Sequence, residues 1–271
     1  MTTHVEIRSL TMIDELRAVE DLQHAVWGMP EREIVPSHQL LAASRAGGVI
    51  LGAFAARVLV GFCYGFIGVR DGELLFVSHM AGVTASHQSS GVGFLLKHAQ
   101  REAALERGVE RMVWTYDAMA SLNAHFNLHK LGAVAMRYYV NYYGEMEDDL
   151  NRGLPSDRLE VDWWLRDPRV ISLMKVDTEH RKWNGPIALA SVPSASGLEP
   201  QAPDLTLQSP IVRMTIPTGF AEIKQRNRQL ALEWLLAVRQ TFQHYFAGGY
   251  QAVDFVWTED TGTYILRRGR P

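Results

Sequence analysis

The stretch Val83-Thr84-Ala85-Ser86-His87-Gln88-Ser89-Ser90-Gly91-Val92-Gly93-Phe94 places two glycines where a strand-like run gives way to helical periodicity. Glycine lets the backbone approach a ligand closely, and the first turn of a helix has N–H groups with no partner inside the helix. Together with the positive end of the helix dipole, those groups form a seat for an anion such as a pyrophosphate. Two other nucleotide loops are excluded. No Lys-Ser/Thr pair follows the glycines, as a Walker-type loop with Mg²⁺ requires. A dinucleotide fingerprint would need a third glycine where Leu96 stands, and the preceding strand is read as lacking a βαβ setting.

The elements that must hold this loop follow from periodicity. His4–Ser9 reads as a strand, Thr11 as a helix N-cap, and Ile13 to Val26 as a helix ending near Gly28. A short helix is expected from Ser37 through Ala43. The strands Val49–Ala55 and Val58–Val69 are joined by a tight link at Ala56-Arg57, and Arg70-Asp71-Gly72 turns into a third strand, Leu74–Val83. In the helix after the glycines, Val92, Leu95, Leu96, Ala99 and Ala103 form the apolar stripe, with Lys97, Gln100, Arg101 and Glu106 expected outward. Met112–Tyr116, a helix at Ser121–Leu131, and strands Ala133–Tyr143 and Leu159–Leu165 complete this region. The order implies an α/β (α+β) fold with a mixed, largely antiparallel sheet flanked by helices.

Asp167-Pro168 closes that region, which sets the expected domains at 1–167 and 168–271. In the second, Ile171–Val176 and Pro186–Val192 read as strands and Pro193–Pro210 as a long surface loop. Ile211–Ile216, a long helix carrying Ala231, Trp234, Leu235, Val238, Phe242 and Tyr245, and strands Ala252–Trp257 and Thr263–Arg267 make a smaller α/β module without a chemical motif.

The pattern Gln-x-x-Gly-x-Gly after a strand ending in Val83 resembles the acyl-CoA-binding loop of the GNAT acyltransferase superfamily, with Val83, Gln88, Gly91 and Gly93 at matching spacing. A second element, Ala124-His125-Phe126-Asn127-Leu128-His129-Lys130-Leu131-Gly132, is similar to that family's Ala-x-x-x-Tyr-x-Lys-x-Gly helix ending. The resemblance spans residues 4 to 166. It implies that Ala81, Val83, Gln88, Ser89, Ser90, Gly91, Val92, Gly93 and Asn123 bind acetyl-CoA or another acyl-CoA as co-substrate, without a metal. It also implies direct attack of a neutral amine, from a small molecule or a peptide, on the thioester. Main-chain N–H groups of the Leu74–Val83 strand would polarise the carbonyl. At the family's thiolate-protonating tyrosine this chain has Leu128, and at its asparagine seven residues earlier it has Ser121. The alternative is therefore a non-catalytic acyl-CoA-binding or assembly protein.

Three residues are candidates for catalysis. His79 lies on the central strand four residues before Val83 and titrates in the right range for a base, although a hydrogen-bonded core histidine is the commoner outcome. Asp117, at the end of its strand, could hold an amine or cap the next helix. Tyr116 could replace the absent acid or simply pack. His125 and His129, an i, i+4 pair, are expected on a solvated helix face, since no third ligand is evident. Tyr138, Tyr139, Tyr142 and Tyr143 read as cross-strand packing or an acceptor or subunit contact, and Cys63 as an inert core thiol.

Composition agrees with this. With 271 residues, 47% hydrophobic and 21% charged, the chain is that of a globular protein. A net charge of −3 without basic runs argues against nucleic acid, and Cys63 as the single cysteine excludes an intrachain disulfide. No signal-like or membrane-spanning apolar run is present, so the expectation is a cytoplasmic protein with no membrane partner, and a homodimer as its candidate assembly.

Overall fold

The computed structural model describes residues 5–144, 153–174, 182–194, 197–258 and 260–269. His4 and the 175–176 end of one expected strand lie outside them. The chain divides into two compact units, Met1–Trp114 with Trp164–Arg166, and Thr115–Trp163 with Asp167–Pro271. Compactness thus divides the chain at 114, where sequence motifs divide it at 167.

The first unit runs β1 (Val5–Ser9), α1 (Ile13–Trp27), α2 (Ser37–Arg45), β2 (Val49–Ala55), β3 (Val58–Arg70), β4 (Glu73–Val83), α3 (Val92–Glu106) and β5 (Arg111–Tyr116), whose last two residues count with the second unit. Strands β1 to β4 pair antiparallel in sequence order. The hairpin turns fall where expected: Ala56 and Arg57 both adopt positive φ, as do Asp71 and Gly72, matching the twist of the flanking strands. The cap of α1 does not. The N-cap is Met12, and Glu15 reaches back to accept from the N–H of Thr11 and of Met12 at 3.2 Å each.

Strand β5 pairs parallel with β4, Phe76 opposite Met112 and Val77 opposite Val113. The segment β4–α3–β5 is therefore a βαβ unit, contrary to the sequence expectation, and the loop at Thr84–Gly91 lies at its carboxyl end, where α/β sheets bind ligands. Helices α1 and α2 bury Leu16, Val19, Leu22 and Leu40 against Ile50, Phe62 and Tyr64. Helix α3 takes the other face. Cys63, between Phe62 and Tyr64 in the pleat, points to α3 and contacts the Leu96 carbonyl at 3.8 Å.

The second unit contains α4 (Ser121–Ala124), a π-helical turn at His125–Lys130, β6 (Val134–Tyr139), β7 (Arg158–Trp164) and α5 (Pro168–Leu173). It continues with β8 (Ile187–Leu189), β9 (Ser191–Ser194), β10 (Gly197–Pro200), β11 (Ile211–Pro217), α6 (Phe220–Arg226), α7 (Arg228–Ala247), β12 (Tyr250–Trp257) and β13 (Thr261–Arg268). Its strands lie in the order β7-β6-β12-β13-β11-β8, antiparallel except for β11 with β8. The strand expected at Ile171 is instead helix α5, because Asp167 caps it by accepting from Arg169 N at 2.7 Å and Pro168 occupies the first turn. Within the expected surface loop, β9 and β10 form an antiparallel pair. Helix α7 buries the residues its periodicity marked, Trp234, Val238, Phe242 and Tyr245 among them.

Both halves are α/β with mixed, mostly antiparallel sheets, as the order of elements implied. No helix among the described residues is long and apolar enough to cross a membrane.

Candidate functional site

The loop between β4 and α3 braces itself with its own side chains. Gln88 Nε2 donates to Val83 O at 3.1 Å, Ser90 Oγ donates to His87 O at 2.6 Å, and the His87 ring meets Thr84 Oγ1 and Ser86 Oγ at 3.1 and 2.9 Å. Ser89 and Gly91 turn the chain through φ +60° and +86°. Gly91 is the N-cap of α3 without any side-chain cap, and no atom lies within 4 Å of where its Cβ would stand. The first bond of the helical ladder is Leu95 N to Gly91 O at 3.1 Å. The N–H groups of Val92, Gly93 and Phe94 precede that ladder, at the positive end of the helix, beside the exposed residues Gln88 to Gly91. This arrangement is of the kind that suits an anion. Its polar side chains hold the loop in shape while its main chain offers the donors.

On β4, Ala81 is exposed and Val83 half-buried. His79 is the extra residue of a β-bulge, since Tyr64 pairs with Met80 and Gly65 with Ser78. That bulge is why alternation could not assign its facing. Its side chain reaches solvent, edge-on to Tyr64 at 5.7 Å and tilted against Phe66 at 6.2 Å. Desolvation by those rings lowers its pKa below the ordinary histidine value, which favours the neutral imidazole that a base requires.

Helix α3 turns a different face inward from the one expected. Lys97, Gln100 and Arg101 are buried, while Leu95 of the expected stripe is 43% exposed. The inward face of α3 is Val92, Leu96, Lys97, Gln100, Arg101 and Ala104, a regular helical face that hydrophobicity misreads because half of it is polar. Arg101 Nε donates to the Leu165 carbonyl at 3.0 Å. Lys97 Nζ donates to Ser78 Oγ of β4 at 2.7 Å, contacts Gln100 Oε1 at 3.4 Å, and lies 3.6 Å from the Trp114 ring centroid. Burial depresses its pKa to about 7, against a small opposing pull from Cys63. Burial likewise pushes the Cys63 thiol up to about 12, consistent with an inert thiol.

In the second unit, Tyr116 is buried with its hydroxyl 3.4 Å from that of Tyr264, and burial raises its pKa well above the usual phenol value. It packs; it offers no accessible acid. Asp117 does not cap α4, whose N-cap is Ala120. Its carboxylate accepts from Met119 N at 2.8 Å and lines a cavity of about 140 Å³ with Ser156, Asp157, Arg158 and Lys224. Asp157 is held by Arg239 (2.8 and 3.1 Å) and by the Tyr138 hydroxyl (2.8 Å). Asn123 is exposed on α4, and Leu128 is fully buried. Tyr139, Tyr142 and Tyr143 form a chain of ring contacts at 5.2 and 4.8 Å.

The histidine pair is not a solvated face either. His129 is buried, with Nδ1 2.9 Å from Asp254 Oδ1, and His125 stacks between His129 and Trp257 at 4.7 and 5.3 Å. The other Asp254 oxygen accepts from Trp183 Nε1 at 2.6 Å. No group of three metal-ligating side chains occurs among the described residues. No sequence motif marks Asp254 or Asp157, and Lys97, expected outward, is buried. The available signal was a lone charge inside an apolar run, as in Ala252-Val253-Asp254-Phe255-Val256.

No family model and no curated protein matches this chain. Solved structures do resemble it, among them acetyltransferases of the GNAT family and other N-acetyltransferases. An acetyltransferase of the GNAT family from Streptococcus pneumoniae is 16% identical with a TM-score of 0.48, over 59% of this chain and 98% of that one. A ribosomal-protein alanine N-acetyltransferase from Escherichia coli is 16% identical with a TM-score of 0.47, over 59% of this chain and 92% of that one. An aminoglycoside acetyltransferase from an uncultured soil metagenomic sample is 19% identical with a TM-score of 0.41, over 45% and 84%.

Proposed function

We propose that this chain is an acyl-CoA-dependent N-acyltransferase, in the simplest case moving acetyl from acetyl-CoA to an amine of a small molecule or peptide. The observation that carries the reading is the self-braced loop before α3. Its side-chain donors are engaged within the loop, and the main-chain N–H groups of Val92, Gly93 and Phe94 stand ahead of the ladder for the CoA pyrophosphate. His79, kept neutral by its aromatic neighbours, is the base that frees the attacking amine of its proton. In the second unit, the Asp117 carboxylate lines a polar cavity of its own, where it would bind an amine. Amine nitrogen bonds to the thioester carbon, the carbon–sulfur bond breaks, and the thiolate leaves.

A second reading, non-catalytic acyl-CoA binding, is favoured by one observation: Leu128 carries no proton, and Tyr116 is sealed against Tyr264. Thermal shift with acetyl-CoA and longer acyl-CoAs, followed by thiol release with a panel of amines, separates the two. Acetyl-CoA is expected to stabilise the chain, and Gly91→Val, which forces a branched side chain into φ +86°, to abolish that stabilisation. An unchanged shift in Gly91→Val overturns the loop assignment. Stabilisation without thiol release for any amine selects the binding reading.

A further inference from the structure

Lys97 is an unusual residue to bury. It is 3% exposed on α3, and among the described residues no carboxylate pairs with it. Its neighbours are Ser78 of β4, Gln100 of its own helix, Met112 and Trp114 of β5, and Cys63 of β3. Among the described residues the only titratable group facing it there is the Cys63 thiol, itself neutral because of burial. An amine so placed gains little by staying charged: it has one hydroxyl, one amide oxygen and one ring face, against the full cost of leaving water. With a pKa of about 7 it is roughly half neutral at pH 7, and the neutral amine is the nucleophilic form of lysine.

Its position adds to this. Lys97 is four residues past Gly93, about 6 Å along the helix from the anion-accepting loop. Its side chain bridges from α3 to both strands of the parallel pair, meeting Ser78 just past the last paired residue of β4 and Trp114 just past that of β5. Gln100 supplies a further feature. Its Oε1 accepts from Ser78 Oγ at 2.7 Å, while its Nε2 is buried without a partner among the described residues. A buried amide donor with nothing to bond is costly to retain, and here it sits on the same carboxamide that contacts the lysine.

We propose that Lys97 is a self-acylation site, its Nζ taking the acyl group of a thioester delivered between β4 and β5 beside Ser78 and Trp114. The amine nitrogen bonds to the thioester carbon and the carbon–sulfur bond breaks. The proton lost from nitrogen goes to the departing thiolate, leaving an acyl-lysine and a free thiol. Gln100 Nε2 donates to the oxygen that carries negative charge in the tetrahedral stage, and afterwards to the amide oxygen. The product replaces a buried titrating group with a neutral amide whose oxygen has a donor waiting. The delivery step rests on the acyl-CoA reading above; the reactivity of Lys97 does not.

The test treats the full chain with acetyl-CoA and, separately, with S-acetyl-N-acetylcysteamine, a short thioester lacking the nucleotide. Intact mass and tryptic mapping then locate the acetyl group, since acetylation abolishes cleavage after Lys97. At pH 8 an amine of pKa about 7 is mostly neutral, whereas an ordinary lysine is about 0.3% neutral, so Lys97 has about a 300-fold larger reactive fraction. The expected result is one acetyl group, on Lys97 ahead of Lys130 and Lys224. Its rate should rise about tenfold from pH 6 to 8 and then level off, and the label should be absent from Lys97→Met. Labelling of Lys97 by the short thioester, with no effect of acetyl-CoA, supports the site while removing the CoA reading. Stabilisation by acetyl-CoA with Lys97 unlabelled by either thioester, or labelled no faster than surface lysines, overturns the proposal and leaves the CoA reading standing.

Discussion

Replacing Lys97 by Met tests whether α3 really buries an amine. The folded state holds the Lys97 pKa at about 7, and the unfolded chain returns it to the ordinary 10.5. Between those values the unfolded chain binds the proton and the folded one does not, so stability rises with pH across that window, at up to about 1.4 kcal/mol per pH unit. Below pH 7 both states are protonated and the penalty for burying the cation is constant and largest. From pH 7 to 9 the wild type should therefore gain about 2 kcal/mol relative to Lys97→Met, whose thioether has no proton to exchange. For a chain of this length that is a relative rise in melting temperature of about 4 °C. Thermal melts of both proteins at pH 6, 7, 8 and 9 measure it, and taking the difference removes the titrations they share. Parallel curves would show that the ammonium stays solvated, and would refute the assignment of an inward polar face to α3.

Other substitutions probe the second unit. Asp254→Asn leaves buried His129 without its carboxylate and weakens the Trp183 contact; a loss of about 3 kcal/mol, read by urea denaturation at pH 7, is expected. Burial alone would raise the Asp254 pKa, but the hydrogen bonds from His129 and Trp183 outweigh it and hold the carboxyl below its usual range. Its stabilisation is therefore present above about pH 4 and is lost as pH falls through the lowered value, so wild type and Asp254→Asn should converge in acid. Gly262→Ala would set a Cβ 2.1 Å from the ring of fully buried Phe255, which is packed edge-on against Tyr264 at 4.7 Å. A cost of about 1–3 kcal/mol should appear as a lower denaturation midpoint; an unchanged midpoint would mean that Phe255 can rotate aside.

Much of the fold was legible in the chain itself. Local rules fix the hairpins at Ala56-Arg57 and Asp71-Gly72, the helix end at Gly28, the glycine turn before α3 and the buried face of α7. In each case the deciding interaction lies within a few residues, as turn geometry or helical period. The loop from Val83 to Phe94 was legible for the same reason: its geometry depends on its own glycines and serines.

Tertiary structure decided the rest, and the misreadings share a cause. Lys97, Gln100 and Arg101 look like a solvated face until β4, β5 and the Leu165 carbonyl supply their partners. His129 looks exposed until Asp254, 125 residues further along, takes its Nδ1–H. Whether His79 faces in or out depends on a bulge that appears only when β3 and β4 are in register. Hydrophobic pattern finds apolar burial because the driving force is a property of the side chain alone. Burying a polar group is permitted only by a partner, and where that partner is distant in sequence, folding alone reveals it.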